Sequence, residues 1–155
     1  MKYILAMILF INVPLLAQSS GSDTLWIEPF LSSLRTVINN AEQVDFVVLG
    51  TTYANVVTDL PNGVSIVRST SDVETYAIND HRRYYYVELT SFKMDSWGLV
   101  LEWTNVSITY NPKTYKKYST THVNYSFVYN YDGKKWSIGP NSITRVNHSH
   151  QDEDN

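Results

Sequence analysis

The spacing of apolar residues changes period along the chain. Phe30, Leu31, Leu34, Val37, Ile38 and Ala41 recur at helical spacing, and Pro29 stands where a first helical turn tolerates a missing amide. One amphipathic helix is expected over residues 29–42. From Val44 the pattern becomes short and β-branched: Val44-Asp45-Phe46-Val47-Val48-Leu49 reads as a strand ended by Gly50. The turn Pro61-Asn62-Gly63 predicts a hairpin between strands at 53–58 and 64–68. Ser71-Asp72-Val73-Glu74 has the spacing of a capping box, so a short second helix is expected over 72–78.

The rest reads as a meander of long strands at 84–93, 99–110, 119–131 and 135–138, with a weaker one at 143–146. Asp95-Ser96-Trp97-Gly98, Asn111-Pro112-Lys113 and Asp132-Gly133 separate them with residues that accept tight-turn geometry. Antiparallel pairing is expected throughout. In the strand at 119–131, Val123, Tyr125, Phe127, Tyr129 and Tyr131 share one side and should meet the helix. His122, Asn124, Ser126 and Asn130 share the other, which places His122 at the surface. In the strand at 99–110 the apolar parity switches from Leu99, Leu101 and Trp103 to Val106, Ile108 and Tyr110, and an inserted bulge residue near Thr104-Asn105 would do that. The fold class is therefore α+β: an N-terminal helix packed on a bent antiparallel meander, with a short second helix.

The first residues carry a different signal. Met1-Lys2 precedes the apolar run Tyr3-Ile4-Leu5-Ala6-Met7-Ile8-Leu9-Phe10-Ile11, and Leu15-Leu16-Ala17 resembles a cleavage site. The run is shorter than the roughly 20 apolar residues of a membrane span, so a removable signal peptide over 1–17 is expected rather than a stable anchor. The mature protein is then secreted or periplasmic. A polar, flexible leader over 18–28, a single domain over 29–147 and a disordered acidic tail over 148–155 complete the expected organisation.

The chain has no cysteine, so the domain rests on its packed core without disulfides. A net charge of −3 supplies no field for nucleic acid or an anionic membrane. The sequons at Asn105, Asn124 and Asn147 are glycan acceptors if the source is eukaryotic.

The helix, short strands, second helix and bent meander ending in Asp132-Gly133-Lys134-Lys135-Trp136-Ser137-Ile138 resemble the nuclear transport factor 2-like superfamily. That resemblance implies a cone-shaped α+β fold, whose enzymatic members place an Asp–His pair or a lone acid inside the cone. A cystatin-like fold is the near rival. Its Gln-x-Val-x-Gly inhibitory loop is not reproduced, because Phe46 stands where Val48-Leu49-Gly50 would need glutamine.

No Gly-x-Ser-x-Gly, His-Glu-x-x-His or P-loop spacing occurs, so hydrolase, zinc and nucleotide chemistry lack their usual parts. Asp45 and Glu102 are the acids with the most apolar flanks, yet strand alternation points such residues to water. His148 and His150, with the acidic residues after them, are weak metal candidates for want of a fixed frame. No metal or cofactor is expected. Asp80-His81-Arg82-Arg83 and Lys113, Lys116 and Lys117 form basic clusters near turns.

The aromatic load is the clearest excess, with Tyr 12, Trp 4 and Phe 5. Tyr84-Tyr85-Tyr86 puts rings on both faces of one strand, and exposed rings carry recognition energy. The expected ligand-binding residues are Tyr84, Tyr86, Trp103, Tyr125 and Tyr129. The function this suggests is an exported, non-catalytic domain that binds a protein, glycan or small apolar ligand through the cone and the aromatic sheet face. The alternatives are a small hydrolase or isomerase with a buried acid, and an immunity or inhibitor protein.

Overall fold

A computed structural model describes residues 24–114, 116–133, 135–138 and 142–151. The elements run α1 (Ile27–Asn40), β1 (Phe46–Val48), α2 (Thr51–Ala54), β2 (Ser65–Val67), α3 (Thr70–Asp80), β3 (Tyr84–Met94), β4 (Gly98–Asn111), β5 (Lys116–Tyr131), β6 (Trp136–Ile138) and β7 (Ser142–Gln151). The fold is α+β, with helices on a mixed sheet in the order β2-β1-β3-β4-β5-β6, and with β7 also pairing β5.

α1 buries Phe30, Ser33, Leu34 and Val37, one stripe at helical spacing. It lies on Val47, Val87, Leu99, Leu101, Trp103, Tyr125, Phe127 and Tyr129. Ser33 is the polar member of that stripe. Its hydroxyl donates to Phe30 O at 2.7 Å and accepts from Trp103 Nε1 at 3.0 Å, so the buried indole N–H is satisfied. The chain ahead of residue 29 is packed rather than flexible over 24–28: Trp26 meets Phe30, Tyr53 and Phe92 edge to face, and Leu25 O accepts from Trp136 Nε1.

The opposite sheet face is covered too. Val73 and Ala77 of α3 pack on Phe46, Val48, Val67, Tyr84, Tyr86, Val106 and Ile108. This two-sided cover explains the parity switch in β4. Leu99, Leu101 and Trp103 face α1, and Val106 and Ile108 face α3, with no inserted residue in β4 itself. The extra residues sit on its neighbours: Thr90 in β3 and His122 in β5 are skipped by the pairing.

The antiparallel pairing expected of the long strands is found from β3 to β7, whereas β1 ahead of them pairs in parallel with both β2 and β3. The expected hairpin fails because 53–58 is not a strand. Tyr53 belongs to α2 and stacks on Phe30, so the Pro61-Asn62-Gly63 turn joins a loop to β2. The helix cap lies earlier than expected: Ser69 Oγ accepts from Asp72 N, and the Asp72 carboxylate accepts from Ser69 N at 3.0 Å. Glu74 instead pairs with Lys117 at 3.1 Å.

The long strands and their turns match the pattern. Asp95 Oδ1 accepts from Trp97 N and Gly98 N, Asn111 Oδ1 accepts from Lys113 N, and Gly133 takes φ 86°. The expected disordered tail is corrected over 148–151. These residues continue β7, with His148 opposite Thr121 and Gln151 opposite Tyr118. Residues 152–155 and the signal-peptide expectation at 1–17 lie outside the described residues. Among the described residues, no helix is long and apolar enough to cross a membrane.

Candidate functional site

The five aromatic residues expected to bind a ligand do not form one surface. Tyr84 and Tyr86 are buried under α3, whereas Trp103, Tyr125 and Tyr129 are buried under α1. The correction has a simple cause: with both sheet faces covered, rings of either parity become core. Tyr84 donates to the Asp80 carboxylate and carries the Arg82 guanidinium 4.1 Å above its ring. Burial, reinforced by the charges of Glu88 and Glu74, pushes the Tyr86 phenol up to about 12.

Past the C-terminal end of α1, the sheet face that buries Leu99, Leu101 and Trp103 becomes polar. β4 continues on that parity with Asn105, Ser107 and Thr109. Beside them lie Arg83 and Tyr85 at the start of β3, and His122 and Val123 of β5. Asn40, Ala41, Glu42 and Gln43 form the opposite rim, and with Asn105, Arg83, Tyr85, His122 and Val123 they line a solvent-open cleft.

Several of these groups are held by specific bonds. Arg83 Nε donates to Thr109 Oγ1 at 3.0 Å. His122 Nε2 lies 2.9 Å from Ser107 Oγ, and its ring packs 6.0 Å from that of Tyr85. Asp45 accepts from Tyr85 N at 2.8 Å and from Gln43 Nε2 at 3.3 Å, which ties the rim to β3. That makes Asp45 a structural acid; Glu102 is exposed, as alternation predicts.

Asn105 is the exception. Only 5 % exposed, it buries an amide nitrogen with no hydrogen-bond partner among the described residues. A buried donor left unmatched costs about 1–3 kcal/mol, so such groups are uncommon in a settled core.

His122 is the site residue that strand parity misplaced. The β5 bulge turns it to the α1 side, with Val123 and Tyr125, instead of outward with Asn124 and Ser126. A bulge on β5 is not visible in that strand's own alternation; the polar run Asn105, Ser107, Thr109 on an otherwise apolar parity was the available signal. Among the described residues, no three His, Asp or Glu side chains group as metal ligands do. The metal candidates His148 and His150 fall in β7, where the side chains lie outside the described set.

The fold thus defines an α+β domain with a mixed sheet, covered on both faces, and one polar cleft beyond the end of its first helix. No family model, no curated protein and no solved structure matches this chain.

Proposed function

We propose that this protein is an exported, non-catalytic binding domain whose ligand site is the cleft between the C-terminal end of α1 and the polar stretch of β3, β4 and β5. The observation that carries this reading is the unpartnered amide of Asn105, buried and lining the cleft. A donor kept at that cost is matched when a ligand supplies an acceptor. Tyr85 and His122 offer ring surface beside it, and Arg83 offers charge. Export rests on the residues of 1–17. Screening a fragment, peptide and oligosaccharide library by thermal shift tests the site: hits on the wild type should vanish in folded Asn105→Leu. Hits that persist unchanged in that variant would place binding elsewhere.

A second reading, a small hydrolase, is favoured by one observation, the 2.9 Å contact between Ser107 Oγ and His122 Nε2. This is the reach of a nucleophile and its base. Among the described residues, however, no carboxylate bonds the His122 ring, so the base lacks the third group that would orient it. Labelling by a fluorophosphonate probe, lost in Ser107→Ala, would favour the enzyme.

A further inference from the structure

The cleft has two walls of opposite electrical character. On the sheet wall stand Arg83 and Asn105. Arg83 spends its Nε on Thr109 and has no bond to either Nη among the described residues, and the buried amide nitrogen of Asn105 has no partner among them either. A planar fork with an amide donor alongside suits a carboxylate. Across from them, α1 ends with no basic residue in its last turn, so its final carbonyls present the negative end of the helix dipole. Glu42 adds a carboxylate to that rim. Thr36 O accepts from Asn40 Nδ2 at 2.8 Å and Val37 O from Ala41 N, which leaves the carbonyls of Ile38, Asn39 and Asn40 without a partner among the described residues, and Gln43 Nε2 is spent on Asp45.

The walls do not neutralise each other directly. Among the described residues the ion pairs are Arg35–Glu28 and Lys117–Glu74, and neither involves Arg83 or Glu42. A simple anion in the cleft would meet Arg83 and also the negative rim. A simple cation would meet the rim and also Arg83, and an uncharged ligand would satisfy Asn105 but leave both charges unanswered. The arrangement is complementary to a molecule carrying both signs a short distance apart.

Taking the cleft as the binding site proposed above, we infer that its ligand is a small zwitterion of the amino-acid type. The carboxylate is received by Arg83 and Asn105, and the ammonium by Glu42 and the carbonyls that close α1. The Tyr85 and His122 rings lie beside the space left for its side chain.

The test is calorimetric titration of the full chain with the twenty common amino acids, followed by the N-acetyl and amide derivatives of whichever binds. Each derivative removes one charge and should bind about tenfold weaker or worse. Arg83 and Glu42 are exposed, so Arg83→Gln and Glu42→Gln should melt like the wild type. In Arg83→Gln the penalty for amidation should disappear, and in Glu42→Gln the penalty for acetylation. An N-acetyl or amide derivative that binds as tightly as the free amino acid overturns the zwitterion. So does the absence of any amino-acid binding; where a neutral oligosaccharide or capped peptide binds instead and is lost in Asn105→Leu, the cleft reading still stands. Amino-acid binding untouched by Arg83→Gln, Glu42→Gln and Asn105→Leu overturns both.

Discussion

Asn105 buries an amide nitrogen with no partner among the described residues, beside the proposed binding cleft. Its buried donor contributes nothing to the fold as it stands, so Asn105→Leu should leave stability intact or raise it by up to about 1 kcal/mol while removing ligand affinity. Chemical denaturation measures the first effect and the ligand screen the second. His122 behaves differently. His122→Ala breaks the contact with Ser107 and leaves that buried hydroxyl without it, so a loss of about 0.5–1.5 kcal/mol is expected in thermal or denaturant melts. Glu88 offers a test by pH. Burial raises its carboxyl above the ordinary range, so the folded state disfavours the charged form. The folded chain then holds this proton more tightly than the unfolded chain, and the group's contribution to stability falls as pH rises through its folded-state range. Glu88→Gln should therefore melt higher than the wild type at pH 7, and the gain should vanish below the usual carboxylate range. An equal gain at all pH values would assign the effect to packing.

At the level of elements, the long-period signals in the sequence were reliable and the short ones were not. The helical stripe Phe30, Leu34 and Val37 and the alternation of Tyr125, Phe127 and Tyr129 each span several turns or pleats, and both meet in the core under α1. Residues 44–68 carry only short runs. There, tertiary packing decides the outcome: Tyr53 fills the space beside Trp26 and Phe30 as part of α2, and β1 becomes an inner strand with parallel neighbours. The division of the aromatic residues between two layers has a related reason, because one chain read alone does not show that α3 covers the second sheet face. Two substitutions probe the α1 layer. Phe127→Ala should cost about 3–5 kcal/mol by opening a cavity among Leu101, Tyr129 and their neighbours. Ser33→Ala should cost about 1–3 kcal/mol, because it leaves the Trp103 indole N–H buried without an acceptor. Denaturant melts read both, and a Phe127→Ala protein of wild-type stability would mean that β5 faces the other way.

Across the whole molecule, β5 is the strand on which the sheet depends. It pairs β4 along nearly its full length, and β6 and β7 share its other edge in succession. Truncation after residue 147 removes the pairing of 148–151 with 118–121, so it should lower the melting temperature by several degrees, where a solvated tail would leave it unchanged. The same architecture explains where the cleft lies. α1 is shorter than the strands it covers, and beyond its last turn the covered face continues as Asn105, Ser107 and Thr109 into the cleft. The most direct measurement is a two-dimensional ¹H–¹⁵N spectrum of the labelled protein titrated with the amino acid that binds most tightly. The Asn105 side-chain amide and the backbone amides of Arg83, Tyr85, Glu42 and His122 should shift together, saturating at one dissociation constant. Shifts confined to the exposed Trp97 and Met94 turn or to Tyr76 and Ile78 of α3, with the Asn105 amide unmoved at saturation, would contradict binding in the cleft.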